Sequence, residues 1–148
     1  MKNRTLTLLI SLAATFALAI PTASMAKDIL RQTVSLENTG AEPSADGKAE
    51  FRIKKKKNRQ RFKVEVEDLT PANYDLMVEG VFKGTLDVRQ QPDGRVEAEL
   101  EFDTKREPGK LPLDFDPRGK LITVERSGTV YLQVVFPGTA SSGGSCQP

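Results

Sequence analysis

Six cations at alternating positions between Arg52 and Lys63 are the residues of this chain whose type and spacing most suggest chemistry. The stretch AEFRIKKKKNRQRFKVEV, Ala49 to Val66, reads as a β-hairpin with Arg52, Lys54, Lys56, Arg59, Arg61 and Lys63 on its outward face. Such a face concentrates positive potential and suits an anionic partner: the phosphates of an envelope lipid, an acidic polysaccharide, or the acidic surface of another protein. Opposed like charges on paired strands cost about 0.2–1 kcal/mol per pair, so a compensating anion is expected. The competing reading is structural, because lysine-rich hairpins also block edge-to-edge aggregation. A row of opposite sign, Glu97, Glu99, Glu101 and Asp103, alternates along a later strand. It is expected to be partly neutralised by Lys83 and Arg89 on the strand before it, which also carries Asp87. Alternatively it receives the basic hairpin, either of a neighbouring copy or of the same molecule.

Other chemistries find less support. The chain has no His, no Trp and one Cys, which removes the commonest general base and metal ligand. Cys146 sits among small polar residues in PGTASSGGSCQP, where it is a solvated thiol or the site of an intermolecular disulfide. Asp114, Asp116, Gly119 and Glu125 have the first, third, sixth and twelfth spacing of a calcium loop. Arg118 stands where an oxygen ligand belongs, so this segment is expected to be a turn in which Arg118 pairs with Asp114 or Asp116. No metal and no cofactor are expected. Carboxylates are plentiful, but spacing alone does not set two of them across a substrate, and the chain is expected not to be an enzyme. Nucleic acid is disfavoured, because no aromatic shares the outward face with the cations.

The elements that must position these residues are strands. The first residues, MKNRTLTLLISLAATFALAIPTASMA, have a basic start, an apolar run from Leu6 to Ile20 and small residues at Ser24 and Ala26, the pattern of a cleaved signal peptide over residues 1–26. No later stretch is apolar enough to span a membrane, so a periplasmic or secreted protein is expected. The leader holds two of the 22 basic residues and none of the 20 acidic ones, leaving 20 of each. With net charge near zero, only local patterning can recruit a polyanion. Residues 27–137 are expected to form one β-domain and residues 138–148 a flexible tail.

From Lys27 the apolar residues alternate. Leu30, Val34 and Leu36 mark a first strand and Asn38 to Lys48 a surface loop. A two-residue turn at Lys57 and Asn58 would pair Ile53 with Phe62 and Phe51 with Val64. It would also set Arg52 against Lys63, Lys54 against Arg61, and Lys56 against Arg59. Three-residue turns at Pro92–Gly94 and Arg126–Gly128 would pair Leu86 with Leu100, Val88 with Ala98, Val124 with Val130 and Ile122 with Leu132. Between them Leu111, Leu113 and Phe115 are expected to tuck a long connection, Thr104 to Lys120, against the core.

Leu69, Pro71 and Tyr74, followed by Leu76 and Val78, resemble the tyrosine corner of fibronectin type III and related Greek-key sandwiches, with one residue fewer between Pro71 and Tyr74. The resemblance spans about ten residues and implies a fold class only. The whole reads as an all-β, antiparallel Greek-key β-sandwich of about eight strands. Its expected role is non-catalytic binding through the basic hairpin, with a structural, self-assembling domain as the alternative and a homo-oligomer as one partner.

Overall fold

The computed structural model describes residues 28–55 and 58–138. The expected leader, Lys56 at the hairpin tip, and the tail with Cys146 lie outside the described residues. Ten strands follow in chain order: β1 Asp28–Ser35, β2 Glu37–Asn38, β3 Asp46–Lys54, β4 Arg59–Glu67, β5 Ala72–Val78, β6 Val81–Gln90, β7 Val96–Asp103, β8 Leu111–Pro112, β9 Leu121–Arg126 and β10 Thr129–Val135. Eight of them run six residues or more, and β2 and β8 have two each. The all-β antiparallel class therefore stands as read from the alternation.

Period-two patterning places one set of side chains in a single core. Ala49, Phe51, Phe62, Val64, Val66, Tyr74, Leu76, Val78, Leu86, Val88, Ile122 and Val124 are all buried. The strands hydrogen-bond in the order β1-β3-β4-β7-β6-β5-β9-β10-β2, with β8 beside β7. Within that order β4-β7-β6-β5 is a Greek key. The two ends of the path, β1 and β2, are separated in sequence only by the buried Leu36, so the sheet nearly closes on itself as a barrel.

The closure stops short. The β2–β10 register sets Leu132 against Asn38 and Gln133 against Glu37 and ends there. Carried further, it would bring Pro137, which has no N–H, opposite Thr33. Between β1 and the end of β10 the Gln32 side-chain amide donates to the Gly138 carbonyl at 3.2 Å. Among the described residues one edge of β1 has no strand partner.

Two expected registers shift, each by two residues and so with the parity of its faces kept, and a third is shortened. In the β3–β4 hairpin Phe51 lies opposite Phe62, Arg52 opposite Arg61 and Lys54 opposite Arg59, two residues away from the two-residue-turn register. The connection spans four residues, 55–58, which pairs the two largest inward aromatics; Asn58 takes the positive φ of 46° expected of it. In the β9–β10 hairpin Ser127 and Gly128 alone form the turn, both with positive φ, and a bulge at Val130 to Leu132 sets Val124 opposite Leu132 and Ile122 opposite Val134. The Pro92–Gly94 turn keeps its register but holds it only for Arg89 with Glu97 and Gln90 with Val96. Beyond that point β8 takes the edge of β7 at Phe102 and Asp103, and Leu100 and Leu111 wedge against Gly84. A Cβ on Gly84 would come within 2.8 Å of both leucines. Leu86 and Leu100 therefore do not pair.

Because adjacent long strands are antiparallel, the connections sort to two ends. The β3–β4 turn, the β5–β6 turn at Glu79 and Gly80, and the 104–120 connection share one end with the last residues of β10. The loops at 39–45, 68–71, 91–95 and 127–128 share the other. The first end is plugged by Phe115 from the connection, whose ring meets Phe62 at 5.7 Å and Phe102 at 5.3 Å, while Phe136 meets Phe62 at 5.9 Å. Leu111 and Leu113 pack on the core beside it, as the sequence suggests. Near the second end the Tyr74 hydroxyl donates to the Thr70 carbonyl at 3.0 Å, the bond a tyrosine corner requires.

Candidate functional site: a charged ladder with a basic tip

The outward side chains of β1, β3, β4 and β7 form one charged face. The acidic row of β7 lies not chiefly across from β6 but directly beside the basic hairpin: Arg61 is opposite Asp103, Lys63 opposite Glu101, Glu65 opposite Glu99, and Glu67 opposite Glu97. Of the β6 residues expected across from the row, only Arg89 is paired with it, opposite Glu97. Asp87 pairs with Arg89, and Lys83 reaches Asp114 at 3.4 Å. Of the two receivers considered for the hairpin, the row of the same molecule is the one seen.

Asp103 anchors this arrangement. It is buried at 1% exposure and accepts from Nε and Nη2 along one edge of the Arg59 guanidinium at 2.7–2.9 Å, from Arg61 Nε at 2.7 Å and from the Lys105 amide at 2.8 Å. Burial pushes its carboxyl up, but the hydrogen bonds from Arg59, the Lys105 amide and Arg61 outweigh it and hold the group well below the usual carboxylate range. Glu107, on the connection, bridges Arg59 at 2.7 Å and Lys110 at 3.1 Å; hydrogen bonds from Lys110, Arg59 and Lys105 lower its pKa to about 2. Glu101 joins Arg61 at 3.3 Å to Lys110 at 3.1 Å.

The rest of the ladder is neutralised in the same way. Lys63 lies between Glu65 at 2.9 Å and Glu99 at 3.0 Å. Burial opposes its charge, but those two hydrogen bonds raise its pKa. Lys48 relieves the juxtaposed Glu65 and Glu99 by reaching Glu65 at 2.9 Å. Arg52 pairs with Glu50 on its own strand, and Glu50 also takes Arg31 at 2.8 Å. Glu97 is held by Arg95 at 3.2 Å.

Of the six hairpin cations, Arg52, Arg59, Arg61 and Lys63 are thus committed to acids of the same molecule. Lys56 lies outside the described residues. Lys54 makes no ion pair among the described residues, and neither does the exposed Lys55 that follows it. The free positive charge is at the tip, not along the face.

Sequence reasoning passed over Glu50 and Glu65, although both share the outward parity of the cations and were legible on that ground. Glu107 and Lys110 carried no signal, since alternation does not say where a proline-rich connection folds back. In the segment with calcium-loop spacing, Asp116 takes the Arg118 guanidinium at 2.5–3.1 Å, one of the two pairings expected. No family model matches the chain, and no curated protein matches it.

Proposed function

We propose that this is an exported, non-catalytic binding domain that engages an anionic component of the cell envelope with the tip of its β3–β4 hairpin. The observation that carries this reading is the contrast within one hairpin: Lys54 and Lys55 make no ion pair among the described residues, whereas Arg59, Arg61 and Lys63 are saturated by Asp103, Glu107, Glu101, Glu65 and Glu99. An anion approaching the face would have to break those pairs, and an anion at the tip would not. The leader-like N-terminal sequence supports export. The lowered carboxyls of Asp103 and Glu107 argue against general-acid work, which needs a raised pKa. The test is retention on a heparin-like resin at low salt. Lys54→Glu with Lys55→Glu should lower the eluting salt markedly, and Lys63→Gln should leave it nearly unchanged; equal retention of all three proteins sinks the reading.

A second reading is self-association, supported by the edge of β1 that has no strand partner among the described residues. It expects a sedimentation coefficient that rises with concentration, and a monomer at every concentration removes it.

A further inference from the structure

The end of the barrel that carries the basic tip also carries the exposed apolar residues. Val81 and Phe82 are each 55% exposed at the start of β6, Leu121 is 39% exposed at the start of β9, and Val135 is 63% exposed at the end of β10. The topology gathers them. Val81 follows the Glu79–Gly80 turn opposite Val78, the Glu79 amide donates to the Leu121 carbonyl, and Leu121 lies opposite Val135. A depression beside the turn is lined by Val78, Glu79, Val81, Lys83, Phe115 and Lys120. No element of the described chain covers these side chains, and leaving them in water runs against the hydrophobic effect.

The distribution of charge says what covers them. Lys54 and Lys55 on the β3–β4 turn, Arg106 on the connection and Lys120 before β9 make no ion pair within 4 Å among the described residues, and all stand at this end. At the opposite end the side chains without an ion pair are mainly acids, Glu37, Glu42, Asp46, Glu67 and Asp68, and the one cation among them, Arg126, lies over the Tyr74 ring at 5.8 Å. Among the described residues the molecule is polarised, with four of its five unpaired cations and its exposed aliphatic and aromatic side chains on one end. A soluble polyanion would use the cations and leave Val81, Phe82, Leu121 and Val135 in water. A surface that is anionic outside and apolar just beneath satisfies both.

We infer that the anionic component is a lipid bilayer surface, on which the β5–β6 turn seats Val81 and Phe82 among the acyl-chain boundary while Lys54, Lys55 and Lys120 contact the headgroup phosphates. This rests on the tip reading above and adds the apolar contact to it. Glu79, the acid of that turn, keeps its negative charge; its Oε1 accepts from the Leu121 amide at 2.6 Å, which ties the carboxylate to the start of β9, and the neighbouring Lys54, Lys55 and Lys120 outnumber it.

The test uses the chain expressed with its own leader and purified as the processed species, mixed with vesicles containing anionic phospholipid and, in parallel, applied to the heparin-like resin. Val81→Ser with Phe82→Ser should lower vesicle partition at least tenfold while leaving resin retention unchanged. Lys54→Glu with Lys55→Glu should lower both, and vesicles of zwitterionic lipid alone should bind weakly. Both serine changes fall on exposed side chains, and an unaltered melting temperature confirms that the variant is folded. Vesicle binding that ignores the serine pair overturns the inference. So does resin retention without vesicle binding, an outcome that leaves the charge reading standing; failure on both supports removes both.

Discussion

At the scale of the residue, Asp103 decides how the charged face is held. Its carboxylate is buried between Arg59 and Arg61, which are partly exposed and otherwise held by Glu107 and Glu101, so removing its charge leaves the two guanidinium groups under-compensated. Asp103→Asn keeps the shape and removes the charge, and is expected to lower stability by about 2 kcal/mol at neutral pH, below the about 3–5 kcal/mol of a fully buried pair. The pH dependence has a definite direction. The folded carboxyl titrates below the unfolded value of about 3.9, so its contribution is complete above about pH 4 and is lost as the pH falls through the folded value. Glu107, lowered to about 2, acts in the same sense from the exposed side of the cluster. Melting temperature followed from pH 7 to pH 2 should fall steeply below pH 4 in the wild type and more gently in Asp103→Asn. An unchanged acid limb in the variant would assign that limb to other carboxylates.

At the scale of the element, what the sequence made legible was parity, and what it hid was partnership. Alternation assigned Phe51, Phe62, Val64 and Val66 to the core and Arg52, Lys54, Arg59, Arg61 and Lys63 to the surface, and all of these assignments survive a two-residue error in register, because an even shift does not exchange faces. Turn chemistry is not the only determinant of register: a two-residue turn at Lys57 and Asn58 is sound locally, but the longer connection sets Phe51 opposite Phe62 and brings both rings to Phe136, with Phe62 also against Phe102 and Phe115. Likewise the adjacency of β7 to β4, which brings the acidic row to the basic hairpin, joins segments some forty residues apart. No local pattern encodes that choice; it belongs to the Greek-key path, which returns β7 to the free edge of β4. The candidate site was therefore half legible: its cations and acids were named with the right faces, and their mutual neutralisation required the fold.

At the scale of the whole molecule, near-zero net charge conceals an axis. Pairing consumes most charges of the β1–β3–β4–β7 face and leaves an excess of cations at the end defined by the 55–58 and 79–80 turns and an excess of acids at the end defined by the 39–45 and 68–71 loops. A body charged this way meets an anionic surface in one orientation, because turning it over exchanges attraction for repulsion within the screening length of about 8–10 Å. Orientation leaves a footprint that binding strength alone does not. Hydrogen exchange of the processed chain, compared with and without anionic vesicles, should slow at the amides of the Glu79–Phe82 turn and of the 104–120 connection, with the 39–45, 91–95 and 127–128 loops unchanged. The amides inside β4 and β5 are already held in ladders and report little, so the contrast between the two sets of loops carries the result. Protection of the loops at the acidic end, or equal protection at both ends, would mean that the axis of charge does not direct the approach.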